Sequence, residues 1–336
     1  MRPLRGLASA LILAAGCSRA SPPDPASARP DAAAIGPSQR SVSVQTAEGS
    51  VLSERITRAA PPRLVAIGDL HGDLAATRRA LRLAGAIDSA NAWIGGALVV
   101  VQTGDQIDRG DDDRVILDSF DGWRLAAKNA GGELISLNGN HEIMNVMLDF
   151  RYVTSGAYAP FADVRAEAPF GADVAGQFPK ENRGRVMAFA PGGLYAKRLA
   201  ERPLFVRVGD SFFVHGGLLD KHVAYGLDRM NDETRAFLNG KVGRAPPIVT
   251  AEDGPIWLRT YSTDPSPQEC AELAKTLARV GCKRLVVGHT VQAAGITEAC
   301  GGAVWRIDVG LAKFYGGKTS VLEIAGDSVK PLLEAK

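Results

Sequence analysis

The chain has 336 residues, 46% hydrophobic and 23% charged, with a net charge of +2 and a mean hydropathy of -0.02. That composition excludes a polytopic membrane protein and a disordered chain, and four cysteines are too few for a miniprotein built on disulfides. Residues 1–60 hold seven basic against four acidic side chains, which leaves 32 against 33 for the remainder, and so neutral a body offers no electrostatic footprint for nucleic acid.

The first 17 residues read as a secretory signal: Arg2 and Arg5, then an apolar run over 7–16, then Cys17. The run is about half the ~20 residues that a membrane span requires. Leu13-Ala14-Ala15-Gly16-Cys17 is similar to the lipobox of bacterial lipoproteins, which predicts export and a lipid anchor on Cys17, in the periplasm or on a membrane. Residues 18–62 are rich in Pro, Ser and Ala and are expected to form a flexible tether, with a candidate edge strand at 41–44.

From Arg63 strands and helices alternate. Short β-branched runs at 63–67, 97–102, 133–137, 211–214 and 284–287 predict buried strands. Amphipathic helices are expected at 73–84, 113–130 and 267–280, and two more strands after Trp305 with antiparallel pairing. The alternation indicates a layered α/β fold.

Each of those five strands runs into a polar, glycine-containing group at its carboxyl end, where open α/β sheets bind ligands. The groups are Gly68-Asp69-Leu70-His71-Gly72, Gly104-Asp105-Gln106-Ile107-Asp108-Arg109-Gly110, Gly139-Asn140-His141-Glu142, Val214-His215-Gly216-Gly217 and Gly288-His289-Thr290. They contain four of the five histidines; the fifth, His222, is expected to be solvated. Asp69 and His71, two apart on extended backbone, can hold one cation together. Asp105, Asn140, His215 and His289 bring the candidates to six, too many for one tetrahedral ion with an open position. They suit two ions sharing Asp105, and mixed imidazole and carboxylate ligands favour Mn, Fe or Zn.

The series GDLHG, GDQIDRG, GNHE, HGG and GHT resembles the metallophosphoesterase (calcineurin-like) superfamily, and GDQIDRG followed by GNHE resembles its phosphoprotein phosphatase branch. The strings at 139–153, 191–200, 214–218 and 254–261 are similar to the Shewanella-like protein phosphatases within that branch, and the resemblance spans about 63–325. It implies a β-sandwich of mixed sheets flanked by helices, in a domain over 63–330. It implies a first metal on Asp69, His71 and Asp105 and a second on Asp105, Asn140, His215 and His289. His141 would protonate the leaving oxygen, Asp108 would hold its imidazole, and Arg109 would bind phosphate. The implied activity is hydrolysis of phosphomonoesters by attack of a metal-activated hydroxide. The substrate would be a phosphorylated protein (Ser/Thr or Tyr) or, alternatively, a nucleotide or other small phosphoester. An inactive, metal-stabilised binding module is the third reading; intact Asp108, Arg109 and His141 speak against it.

Arg259 in Trp-Leu-Arg, with Arg185 behind it, is the candidate for a second phosphate arginine, although the string after this tryptophan differs from that of eukaryotic serine/threonine enzymes. A helix cap or a pair with Asp253 is the alternative for Arg259. Residues 150–200 form an insert with Tyr152, Tyr158, Phe161, Phe170 and Phe178, expected to be either a cap over the site or a helical layer on the sheet. Cys270 and Cys282 sit near opposite ends of one predicted helix, about 18 Å apart at ~1.5 Å per residue. They cannot pair, which leaves Cys300 as the partner of either.

Overall fold

The computed structural model describes residues 52–167 and 169–334. The expected signal segment with its lipobox, most of the tether and the candidate strand at 41–44 lie outside the described residues. The end of the tether does not, and here the expectation is corrected. Leu52 and Ile56 are buried, Thr57–Arg58 (β1) pairs in parallel with Phe205–Val208, and Arg58 Nε donates to Glu133 Oε1 at 2.9 Å. Two apolar side chains and the ion pairs of Arg58 with Glu133 and of Arg55 with Asp228 and Asp232 are enough to dock an otherwise polar stretch, so the folded part begins before Arg63.

The strands that follow are Leu64–Ile67 (β2), Val99–Gln102 (β3), Glu133–Ser136 (β4), Phe205–Val208 (β5), Ser211–Val214 (β6), Arg284–Val287 (β7), Thr297–Ala299 (β8), Val304–Arg306 (β9), Ser320–Ala325 (β10) and Ser328–Leu333 (β11). They form two mixed sheets, of order β11-β10-β2-β3-β4 and β1-β5-β6-β7-β9-β8. The strands β2, β3 and β4 run parallel, as do β6, β7 and β9. After Trp305 the strand expected at 319–324 is β10, which pairs antiparallel with β2 and β11; the one expected at 306–310 is corrected, since β9 ends at Arg306 and runs parallel to β7, and the chain beyond it turns toward the site.

Alternation along the strands builds the layers. Leu64, Ala66 and Val101 from one sheet meet Val206, Phe213 and Val286 from the other in a core between them. The opposite faces of β2 and β3, with Val65, Ile67 and Val100, pack on two helices, Leu74–Leu83 (α1) and Asp113–Asn129 (α2). The outer face of the second sheet, with Phe205, Phe212 and Leu285, packs on helices including Leu227–Leu238 and Pro267–Arg279. Helix boundaries follow local chemistry. Asp73 caps α1 by accepting from Ala76 N–H at 2.8 Å, and Gly131, at φ +83°, turns the chain out of α2.

The insert is mostly helical layer. Its Phe161, Phe189 and Tyr195 are buried in the same core as Phe205 and Phe212, while Tyr152 at its start reaches the site described below. The disulfide joins Cys270 to Cys300, and Cys282 is free and buried.

Candidate active site

The functional side chains stand on the loops that leave the carboxyl ends of β2, β3, β6 and β7 and at the start of the helix Asn140–Val146 that follows β4, so two parallel strand sets aim five segments at one place. Backbone bonds knit these loops together. His71 N–H donates to Asp105 O at 3.0 Å, and Gly288 N–H to His215 O at 2.9 Å. Across the sheets, His289 N–H donates to Asp69 Oδ2 at 3.0 Å. The convergence forces unusual backbone: His71, Asp105, Asp108, Arg109 and His289 all have φ between +45° and +70°, a region that costs a side-chain-bearing residue about 1–3 kcal/mol and clusters at functional sites. Gly139 and Gly288 are required for close approach, because a Cβ on either would collide with the carboxylate of Asp105 or Asp69.

Asp105 is the hub. Its Oδ1 accepts the backbone N–H of His141 at 3.0 Å. Its Oδ2 lies 3.2 Å from His215 Nε2, 3.7 Å from His141 Nε2 and 3.9 Å from His71 Nε2. The outer nitrogens of the three histidines expected as ligands are occupied by carbonyls: His71 Nδ1 with Ile107 O at 3.3 Å, His215 Nδ1 with Thr103 O at 3.0 Å and His289 Nε2 with Trp257 O at 3.1 Å. A neutral imidazole that donates outward turns a lone pair inward. His215 Nε2 then faces not only Asp105 Oδ2 but also Asn140 Oδ1 at 2.9 Å. With His215 neutral in that tautomer, three acceptors are directed at one another, a conflict that a cation between them would relieve, and the six expected ligand residues fit such an ion. Two groups of potential ligand atoms stand out among the described residues, His71 with Asp105 and His141, and Asp105 with His215 and His289; Asp105 belongs to both.

Electrostatics agree. Burial pushes His71 down to about 4, and burial with the neighbouring His215 pushes His289 down to about 2, so both are neutral donors of lone pairs. Burial opposes the Asp105 carboxylate, but with His215 and His141 protonated beside it their charge holds its pKa well below the usual range. Asp69, buried beside Asp308 and Asp105, is raised well above it. A cation would relieve this crowding of carboxylates.

His141 differs from the other three. Its Nδ1 meets a carboxylate, Asp108 Oδ2, at 2.7 Å. Burial works against its charged form, yet Asp105 and Asp108 outweigh that, and its pKa stands at about 9. Its imidazole is therefore protonated near neutral pH, with Nε2 turned toward the cluster.

Arg109 lies against the site with its Nε buried and without a hydrogen-bond partner. Its guanidinium carbon sits 4.0 Å from the Tyr152 ring centroid and 5.0 Å from that of Phe314. The backbone bond from Arg109 N–H to Tyr152 O, 3.0 Å, fixes the first ring, and Asp73 Oδ2, accepting Lys313 N–H at 2.7 Å, fixes the loop of the second. Arg259 stands at the rim, donating to His289 O at 3.0 Å and Thr290 Oγ1 at 2.8 Å. It neither caps a helix there nor pairs with Asp253, whose partner is Lys221. Arg185 is corrected as a phosphate ligand. It is fully buried and engaged with Asp108, Asp113 and Asn145.

His222 is also corrected, because it is buried rather than solvated. It accepts Leu219 N–H at Nδ1, 3.1 Å, and donates from Nε2 to Asp253 O, 2.9 Å.

Glu142 and Asp308 are among the site residues with no assigned role in the sequence reading. Glu142 accepts backbone N–H groups of Asp105, Gln106 and Gly139 at 2.7–2.9 Å and so braces the hub. Asp308 follows β9 as the other acids follow their strands. It is buried, its Oδ1 accepts Gly310 N–H at 2.9 Å, and its Oδ2 has no hydrogen-bond partner. The pattern of strand, acid and glycine in Arg306-Ile307-Asp308-Val309-Gly310 was the available signal.

Residues 62–293 match the calcineurin-like phosphoesterase family. The chain is 40% identical over 314 residues to Shewanella-like protein phosphatase 2 of Arabidopsis thaliana, covering 84% of this chain and 80% of that one. It is 29% identical to Shewanella-like protein phosphatase 1 of Plasmodium berghei, over 76% of this chain and 69% of the other. Among solved structures it is similar to a mutant of a cold-active protein tyrosine phosphatase, with a TM-score of 0.69 and 25% identity, over 84% of this chain and 82% of that one. With its layered sheets, its convergent imidazoles and carboxylates and these relatives, the chain belongs to the calcineurin-like phosphoesterase family, as a metal-dependent phosphoric monoester hydrolase.

Proposed function

We propose that this chain is a two-metal protein phosphatase with a preference for phosphotyrosyl groups. The position of Asp105 Oδ2, within 3.9 Å of three imidazole nitrogens, carries the reading, since one oxygen so placed suits a bridge between two cations. Asp69, His71 and Asp105 would hold one ion, and Asp105, Asn140, His215 and His289 the other. Such a pair lowers the pKa of a coordinated water toward ~7 and stabilises charge on phosphoryl oxygens. The chain's own groups do the rest. Arg109 presents a planar fork matched to phosphate oxygens. As the P–O bond breaks, the leaving oxygen takes the Nε2 proton of His141, whose Nδ1–H stays bonded to Asp108. Phe314, exposed beside Arg109, offers an apolar surface to a phenyl ring, and the solved relative above is a protein tyrosine phosphatase.

Turnover of phosphotyrosyl, phosphoseryl and phosphothreonyl peptides beside a mononucleotide, after chelation and stepwise return of Mn, Fe or Zn, tests the reading. The phosphotyrosyl peptide is expected to be hydrolysed fastest, and only with metal. Preferred hydrolysis of the mononucleotide would overturn it in favour of a small-molecule phosphoesterase. We further propose export with a lipid anchor on Cys17, a reading supported by the Cys270–Cys300 disulfide, which belongs to oxidising compartments. Incorporation of labelled palmitate that is lost in Cys17→Ser tests it; an unlabelled wild-type chain overturns it.

A further inference from the structure

Arg185, in the short helix Arg183–Phe189 of the insert, has a side chain with no solvent exposure. Its guanidinium is surrounded by aromatic rings, with Phe189 at 5.0 Å, Phe161 at 5.2 Å, and Phe150 and Tyr158 at 6.0 Å. A charge in such a place costs several kcal/mol unless every donor is used. Its donors are all turned to one task. Nη2 reaches Asp108 Oδ1 at 3.2 Å and Asp113 Oδ2 at 2.7 Å. Nε and Nη2 hold Asn145 Oδ1 at 3.0 and 2.8 Å, and Nη1 is tied to Ala157 O at 3.0 Å. With its oxygen so held, the Asn145 amide turns its nitrogen to Asp108 Oδ1 and Oδ2, at 3.0 and 3.1 Å, and to His141 O at 3.0 Å. Asp113 closes the ring by accepting Asp108 N–H at Oδ1, 3.0 Å.

We propose that Arg185 is the positioning residue of the catalytic acid. From the insert, and directly and through Asn145, it fixes the Asp108 carboxylate in the one rotation that presents Oδ2 to His141 Nδ1. Arg185 touches no substrate. Without it Asp108 keeps its place in the loop but can rotate, and His141 loses its orientation toward the leaving oxygen. The insert is thereby part of the proton-delivery apparatus, whatever it contributes to substrate access. The inference rests on the reading of His141 as the acid.

The experiment compares wild type with Arg185→Met, Arg185→Lys and Asn145→Ala on a series of aryl phosphates, after a check of melting temperature and metal content. Asn145→Ala leaves the Arg185–Asp113 ion pair intact, so it covers the case in which Arg185→Met does not fold. A leaving group as acidic as 2,4-dinitrophenol needs no proton, whereas phenol does. The variants are expected to lose about 10²-fold on phenyl phosphate but to stay within about threefold on 2,4-dinitrophenyl phosphate, with Arg185→Lys between wild type and Arg185→Met. The downfield proton resonance of His141 Nδ1–H, identified by its absence in His141→Asn, should be lost or displaced in the same variants. A uniform loss across the series with that resonance unmoved would overturn the proposal. A wild-type enzyme already insensitive to the leaving group would instead overturn the acid role of His141.

Discussion

Asp105 and His141 are joined at both ends of one carboxylate: Oδ1 accepts the backbone N–H of His141 at 3.0 Å, while Oδ2 stands 3.7 Å from its Nε2. The proposed bridging ligand therefore also sets where the proposed acid begins its helix. In Asp105→Asn the backbone bond survives, because the amide oxygen can take the place of Oδ1. An NH₂ group then replaces Oδ2 and meets the lone pairs of His215 and His71. Metal content should fall below two ions per chain, and kcat should drop by more than about 10³-fold, since both the nucleophile and charge stabilisation are lost. Two ions retained, measured by elemental analysis, would show that Asp105 is not the bridge.

His141→Asn makes the opposite pattern. The metal groups keep Asp69, His71, Asp105, Asn140, His215 and His289, so two ions should remain, while kcat falls about 10²- to 10⁴-fold, as for loss of a placed acid. Asp108→Asn should cost less than His141→Asn, because the imidazole remains and loses only its carboxylate partner. Turnover of His141→Asn equal to that of wild type would refute the acid role, and no turnover in either would point to a binding module.

The candidate metal residues are legible as a group because each is fixed by its own neighbours: a buried strand ends, a glycine beside the side chain permits the turn, and the polar group stands at a set distance along the chain. Asp69, Asp105, Asn140 and His289 each directly follow such a glycine, His215 directly follows β6 with its glycines after it, and the parallel strands do the rest. Arg185 obeys no local rule. Its role comes from a helix packing about 80 residues of chain away from Asp108, within reach of its carboxylate, and in the sequence it is one arginine among many. His222 was misjudged for the same reason. Nothing near it in sequence shows that Asp253 O is waiting 2.9 Å from its ring. The docked segment at 52–58 was hidden by its polar composition, with Leu52 and Ile56 too few to make a periodic pattern.

His222 makes a prediction about acid. Burial lowers its pKa to about 4, with the Asp253 carbonyl opposing, because protonation would turn the Nδ1 acceptor into a donor facing Leu219 N–H. Between pH 6.5 and 4 the unfolded chain binds more protons at this site than the folded one. Stability is thus present above that window and lost as pH falls through it, by an amount on the order of 2 kcal/mol. His222→Gln can still reach back to Leu219 N–H, as glutamine does in a capping box, but cannot titrate. Its melting temperature should decline less from pH 7 to pH 5 than that of wild type, and an unchanged decline would refute the assignment.

The disulfide makes the last. Cys270 lies in the helix Pro267–Arg279 and Cys300 just beyond β8, 30 residues later. Closing a loop of that size restricts the unfolded chain and stabilises the fold by about 3–4 kcal/mol in the chain-entropy view. The double variant Cys270→Ser with Cys300→Ser should unfold at correspondingly lower denaturant. Dithiothreitol should lower the stability of wild type but leave the double variant unmoved. Cys282 does not confuse the readout, since burial raises its thiol pKa to about 12 and keeps it from exchanging. A double variant as stable as the oxidised wild type would mean that the bridge forms between ends already held by packing, and the entropic account would then be wrong for this loop.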